Sequence, residues 1–256
     1  MRLLHRRSVV SAPQARHFRH VPRSLHGRCP VTVRAVTLDL DDTLWPFAPV
    51  AARIDAALEG WLAEHAPRTA ARYDRAVVAE ALAAVRAERD HLAHDLGATR
   101  RAVLRRLLDA AGEDPALADP AFAVVWAARQ RVELYPDAAG ALDRLAARVP
   151  LLAVTNGNAD LALTGVARWF AGCVSAQGVG VGKPHPRVFE VACARLGLPP
   201  ADVLHAGDNL DTDVRGALAA GLQAVWVQRD LPGDAPGDAL GVRDLTALAD
   251  LVEQAA

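Results

Sequence analysis

The sequence predicts an α/β protein, a doubly wound, Rossmann-like and mostly parallel sheet with an α-helical cap inserted into it. Three observations carry this expectation. The β-branched, apolar stretch VTVRAVTLDL at 31–40 ends abruptly in acid, as a buried strand running into a site would. Residues 49–133 are dominated by Ala, Leu, Arg and Glu at helical spacing, with almost no strand signal. After Tyr135-Pro136, strand and helix patterns alternate, which is the pattern of parallel strands joined by helices on both faces.

Composition bounds the rest. The 256 residues are 52% hydrophobic and 23% charged, enough for one large core or a core plus an insertion. A net charge of -1 gives no reason to expect nucleic acid. No stretch approaches the ~18 apolar residues a membrane span needs. The cysteines Cys29, Cys173 and Cys193 are odd in number and far apart, so neither a disulfide framework nor a CxxC metal pair is expected. They read as small hydrophobes in a reducing compartment, and the expected location is cytoplasmic.

In chain order, residues 1–30 carry seven arginines, four histidines and no acid, and are expected to be a disordered basic extension. The α/β core is expected at 31–48 and 134–256, interrupted by a helical cap at 49–133. Within the cap, Ala66-Pro67, Gly97 and Glu113-Asp114-Pro115 punctuate helices over about 50–65, 69–95, 98–111 and 119–133. In the core, strands are expected at 150–157, 173–176, 203–206 and 224–227, with helices at 137–148, 186–197, 213–220 and 244–254.

Ligands of such sheets bind outside the carboxyl ends of the strands, so the strand ends are the informative positions. The first ends in Asp39-Leu40-Asp41-Asp42-Thr43-Leu44, the second in Thr155-Asn156-Gly157-Asn158, and the fourth in Gly207-Asp208-Asn209-Leu210-Asp211-Thr212-Asp213. Lys183, in Gly182-Lys183-Pro184 ahead of a helix, is the single lysine among 29 basic residues. Clustered carboxylates repel and need a cation, and oxygen-only ligands suit a hard ion such as Mg²⁺. An aspartate beside such an ion can attack phosphorus, a second carboxylate two residues on can move the proton, and a hydroxyl and an ammonium can hold the phosphoryl oxygens. Each element alone is an ordinary turn or helix start. Together, at successive strand ends, they point to phosphoryl chemistry.

The set resembles the haloacid dehalogenase superfamily of phosphohydrolases over about residues 33–230. The DxDxT motif matches at Asp39, Asp41 and Thr43, the strand-two motif at Thr155, the lysine motif at Lys183 and the GDxxxxD motif at Asp208 and Asp213. The resemblance implies that Asp39 is the nucleophile and Asp41 the general acid/base. It implies that Asp39, the Asp41 carbonyl and Asp208 hold Mg²⁺, with Asp213 supporting Lys183 or a metal-bound water and Asn156 and Gly157 supporting the site. It leaves open whether Asp211 or Asp213 joins the metal shell.

Three rival readings accompany it. A dehalogenase displaces halide from carbon and needs no proton donor, so Asp41 argues for phosphate. A phospho-accepting receiver module is much shorter and lacks the helical insertion. A catalytically inactive member acting as a binding module would be expected to have lost a motif residue, and all are present.

For the substrate, Ala153-Val154-Thr155-Asn156-Gly157-Asn158, Leu204-His205-Ala206-Gly207-Asp208 and the cap residues His94, Asp95 and Arg100 resemble a bacterial subgroup that acts on flavin mononucleotide and the phosphorylated ribitylaminouracil of riboflavin synthesis. Trp45 would stack on a planar ring in such an enzyme or, alternatively, pack between cap and core. The expectation is a small phosphomonoester handled by a monomer or homodimer, with a broad sugar- or nucleotide-phosphate phosphatase as the alternative.

Overall fold

The structure, a computed structural model, describes residues 32–229 and 240–255. The basic stretch 1–30 lies outside them. The sheet has the order β3-β2-β1-β4-β5-β6, all parallel, built from β1 (Ala35–Leu38), β2 (Leu151–Thr155), β3 (Cys173–Ser175), β4 (Val203–Gly207), β5 (Gln223–Val227) and β6 (Leu240–Val242). The order in which strands are added reverses between β1 and β4, the switch point at which doubly wound sheets open a crevice.

Between β1 and β2 lie α1 (Phe47–His65), α2 (Pro67–Ala70), α3 (Arg75–Glu88), α4 (Leu96–Ala110), α5 (Ala118–Arg129) and α6 (Ala138–Ala146). After β2 come α7 (Ala176–Val179), α8 (Pro186–Leu196), a π-helical turn at Leu210–Arg215, α9 (Gly216–Ala219) and α10 (Leu245–Ala255). None of the helices among the described residues is long and apolar enough to cross a membrane.

Both faces of the sheet are covered. Leu142 and Leu145 of α6 and Leu245, Leu248 and Val252 of α10 pack with Val36, Leu38 and Ala153 on one face. On the other, Val188 and Ala192 of α8 pack with Leu152, Val154 and Val174. Alternate residues of one fully buried strand thus serve two cores, which is why β1 and β2 read as unbroken apolar runs. In α1, Val50, Ile54, Leu58 and Leu62 make a stripe at every fourth residue and pack with Leu104, Leu108, Phe122 and Val125 of α4 and α5.

The helix expected over 69–95 is broken. The Asp74 carboxylate caps α3 by accepting from Val77 N–H at 2.8 Å, while Thr69 Oγ1 and Arg68 N–H donate to Glu113 and hold α2 apart. The helix expected at 213–220 begins earlier as the π turn, because Asn209 Oδ1 accepts from the N–H groups of Asp211 and Thr212.

Candidate active site

Register brings the strand ends level. Leu38 of β1 pairs with Ala153 of β2 and with Ala206 of β4, so Asp39, Thr155 and Asp208 emerge side by side at the switch point. Asp39 N–H donates to Ala206 O at 3.0 Å, which extends the ladder to the site itself. Beyond it the chain turns sharply, with Asp42 at φ 57. Aspartate tolerates that left-handed conformation, and here its Oδ1 also accepts from Phe47 N–H at 2.8 Å, at the entry to α1.

Lys183 is the hub. Its Nζ lies 2.6 Å from Asp39 Oδ1 and 2.6 Å from Asp213 Oδ1, and the residue is only 5% exposed. Asn156 fixes its backbone from both sides, accepting from Lys183 N–H at 2.7 Å and donating to Lys183 O at 2.8 Å. Asp213 in turn takes Asn209 N–H on Oδ2 and faces His205 Nε2 at 3.3 Å, and His205 Nδ1 meets Thr37 Oγ1 at 2.8 Å. Burial would raise the Asp213 carboxyl, but Lys183 and His205 hold it well below the usual carboxylate range. Asp213 is therefore an ionised buttress for Lys183. Asp211 is exposed and pairs with Arg215.

The remaining acids are poorly compensated. Burial pushes Asp39 up to about 8, with Lys183 opposing and Asp213 adding repulsion. Burial and the charge of Asp213 push Asp208 up to about 6. Asp208 is held by Thr43, whose Oγ1 lies 3.2 Å from Asp208 Oδ1 and accepts from Asp208 N–H at 3.1 Å. One oxygen from each of Asp39, Asp208 and Asp213 lies within 4.8 Å of the others. Lys183 gives one positive charge to Asp39 and Asp213 together, so Asp39 is only partly compensated, and Asp208 pairs with no cation among the described residues. Two hard oxygen donors of like charge at one strand edge fit a small divalent cation.

Asp41 sits under the helical segment. Trp45 Nε1 donates to its Oδ1 at 2.8 Å, and Arg129 Nη2, from the last turn of α5, donates to Oδ1 at 2.9 Å and Oδ2 at 2.6 Å. Burial raises the Asp41 carboxyl despite the Arg129 charge. Gly157 closes over this group: a Cβ there would lie 2.8 Å from Asp41 Oδ2, 3.1 Å from Thr155 Oγ1 and 3.2 Å from Arg129 Nη2. Gly157→Ala is expected to displace Asp41 and lower kcat roughly 100-fold while the melting temperature stays near that of the parent. Steady-state kinetics and thermal unfolding on the same preparation check this.

The expected substrate residues are placed differently. Trp45 is fully buried with its N–H on Asp41, so it has no open face for a ring, and its role as a stacking platform is corrected to one of holding Asp41. Asp95 caps α4, accepting from Ala98 N–H at 2.8 Å, and accepts Gln177 Nε2 at 3.1 Å, which ties the helical segment to the sheet side. His94 is half-buried and Arg100 exposed on α4. Neither lines the cleft of about 480 Å³ that opens between Gly97, Arg101, Phe122 and Trp126 on the helical side and Asn158 and Gln177 on the sheet side. Arg101 lies 3.8 Å over the Phe122 ring, with Trp126 beside it at 6.5 Å between centroids.

Two participants escape sequence reading. Arg129 is 88 residues from Asp41 and looks like any helix-terminal arginine. His205 is a lone histidine inside a strand, and only its contacts with Thr37 and Asp213 reveal it.

A family model described as haloacid dehalogenase-like hydrolase matches residues 33–221. The 5-amino-6-(5-phospho-D-ribitylamino)uracil phosphatase YigB of Escherichia coli is 32% identical over 200 residues, 77% of this chain and 84% of that one. Phosphoserine phosphatase of Thermus thermophilus is 33% identical over 229 residues, 80% of this chain and 92% of its own. Among solved structures, a 2-haloacid dehalogenase from Pseudomonas syringae aligns with TM-score 0.82 at 34% identity, covering 88% of this chain and all of that one.

Proposed function

Because the chain belongs to the haloacid dehalogenase-like hydrolases, we propose that it hydrolyses small phosphomonoesters with Mg²⁺ through an aspartyl-phosphate on Asp39. The observation that carries this is the convergence of Asp39, Thr155 and Asp208 at the ends of adjacent strands, with Lys183 reaching Asp39 from the loop before α8 and Asp41 two residues from Asp39. Asp39 attacks phosphorus and forms the P–O bond as the ester P–O bond breaks. Asp41 gives its proton to the departing alcohol and later takes one from the water that cleaves the acyl phosphate. Lys183 Nζ and Thr155 Oγ1 serve the phosphoryl oxygens, with Thr155 Oγ1 oriented by accepting from Gly157 N–H at 2.9 Å. Asp39, Asp208 and the Asp41 carbonyl would hold Mg²⁺, which when bound would supply positive charge to keep Asp39 ionised and to offset the phosphate.

For the substrate we favour a phosphate carried on a flavin-pathway ring system, flavin mononucleotide or the ribitylaminouracil phosphate. Support comes from the similarity to the Escherichia coli enzyme and from the cleft, where Trp126 is half-buried beside an Arg101-covered Phe122 and Asn158 and Gln177 offer amide partners. The likeness to a haloacid dehalogenase favours a second reading, against which stands a half-buried Asp41 that halide displacement does not use. A panel assayed with Mg²⁺ and with chelator separates these. It should contain both ring phosphates, phosphoserine, sugar phosphates, nucleotides and 2-chloropropionate. The ring phosphates are expected to lead in kcat/KM, and Trp126→Ala to raise their KM about tenfold without changing that of glycerol phosphate. A flat profile across sugars and nucleotides would favour the broad phosphatase. Chloride release without phosphate release would overturn the reaction class.

A further inference from the structure

Arg129 holds more donor capacity than its visible contacts use. Its side chain is 4% exposed. Nη2 alone serves both oxygens of Asp41, and Nη1 is buried with no hydrogen-bond partner among the described residues. A buried donor left unpaired has given up its hydrogen bond to water without a replacement. Asp41 already has Trp45 Nε1 on Oδ1 at 2.8 Å, so anchoring that carboxylate does not by itself explain a buried guanidinium.

The location supplies a reason. Arg129 Nη2, Asp41 Oδ2 and Thr155 Oγ1 surround the same face of Gly157, each within about 3.2 Å of where a Cβ would stand. The Nη2 end of the guanidinium therefore stands beside the Thr155 hydroxyl and the Asp41 carboxylate, and Nη1 is the donor it leaves unused there. Its plane is further set by the Phe47 ring, 5.5 Å from Cζ. The charge balance agrees. Asp39, Asp41, Asp208 and Asp213 face Lys183 and Arg129, and Lys183 is already shared between two carboxylates. A phosphate dianion entering this site needs a further donor and a further positive charge. A planar guanidinium can give one nitrogen to a carboxylate and the other to a phosphoryl oxygen.

We propose that Arg129 binds the substrate's phosphoryl group through Nη1 while Nη2 stays on Asp41, so that the helical segment contributes a phosphate ligand to a site otherwise built on the sheet. The proposal rests on the phosphomonoesterase reading of that site. Its test does not need turnover: inorganic phosphate is titrated calorimetrically into the full chain with Mg²⁺ present. Arg129→Met, which keeps length and apolar stem but no donor, is expected to weaken phosphate binding at least tenfold. Arg129→Lys is expected to recover part of that loss. In parallel, KM for 4-nitrophenyl phosphate should rise with the phosphate Kd.

Unchanged phosphate affinity in a folded Arg129→Met protein, with only kcat reduced, would mean that Arg129 merely positions Asp41 and would overturn the proposal. If the methionine variant does not fold, Arg129→Leu, which also lacks a donor, carries the same comparison. Absence of turnover in the parent protein would count against the phosphomonoesterase reading, whereas an unchanged variant Kd counts against Arg129 alone.

Discussion

Asp39→Asn is expected to abolish phosphate release, by more than about 10³-fold in kcat, because the amide cannot form the acyl phosphate and removing a nucleophile is among the costliest losses an active site can suffer. The same substitution should not unfold the protein. Asp39 is buried and pushed up to about 8, so in the folded state its charged form is disfavoured relative to the unfolded chain. For a carboxyl shifted in that direction, folding is strongest when the group is neutral and weakens as pH rises from the ordinary carboxylate range towards 8. Asparagine mimics the neutral form, so without metal the variant should melt no lower than the parent near neutral pH. Mg²⁺ should raise the melting temperature of the parent more than that of the variant, since ligand stabilisation follows affinity for the folded state. Phosphate release and thermal unfolding with Mg²⁺ or chelator check both halves. Retained turnover in Asp39→Asn would remove the assigned nucleophile.

Lys183→Arg is expected to lose at least roughly 100-fold in kcat/KM while the fold persists. Nζ bridges Asp39 Oδ1 and Asp213 Oδ1 at 2.6 Å each, and the Asn156 clasp fixes the lysine backbone from which it reaches them. A guanidinium keeps the charge, so the two carboxylates stay compensated, but its fork is wider and must push Asp39 or Asp213 aside. Lys183→Ala is a poorer probe. Stripping the cation from two buried carboxylates costs about 3–5 kcal/mol and confounds activity with stability. Near-parental kcat/KM in Lys183→Arg would show that charge alone suffices there.

Much of the site was legible because chemistry in a doubly wound sheet is tied to strand ends, and strand ends are visible as apolar runs that stop. Asp39, Thr155 and Asp208 each follow such a run. Lys183 was conspicuous as one lysine among 29 basic residues, and its position between Asp39 and Asp213 accounts for that. Less was legible in the helical segment. The alternation of Ala, Leu, Arg and Glu supports a continuous helix at 69–95 as well as a broken one, and Asp74 capping with the Glu113 tether decides between them. The strand Leu240–Val242 is three residues long, too short for any periodicity.

What the sequence by itself determined was the sheet-borne half of the site. Those residues are set by local pattern, strand then acid, strand then hydroxyl, and parallel register aligns them without further instruction. Only the tertiary structure decided the other half: that Arg129 reaches Asp41 from α5, that Trp45 is buried against Asp41 instead of facing a ligand, and that the cleft is lined by Phe122 and Trp126 instead of His94 and Arg100. The physical reason is the difference between the two halves. A strand end is positioned by its own backbone ladder, whereas the direction in which an amphipathic helix points its polar side chains depends on what its apolar stripe packs against, and that contact is made between residues far apart in the chain.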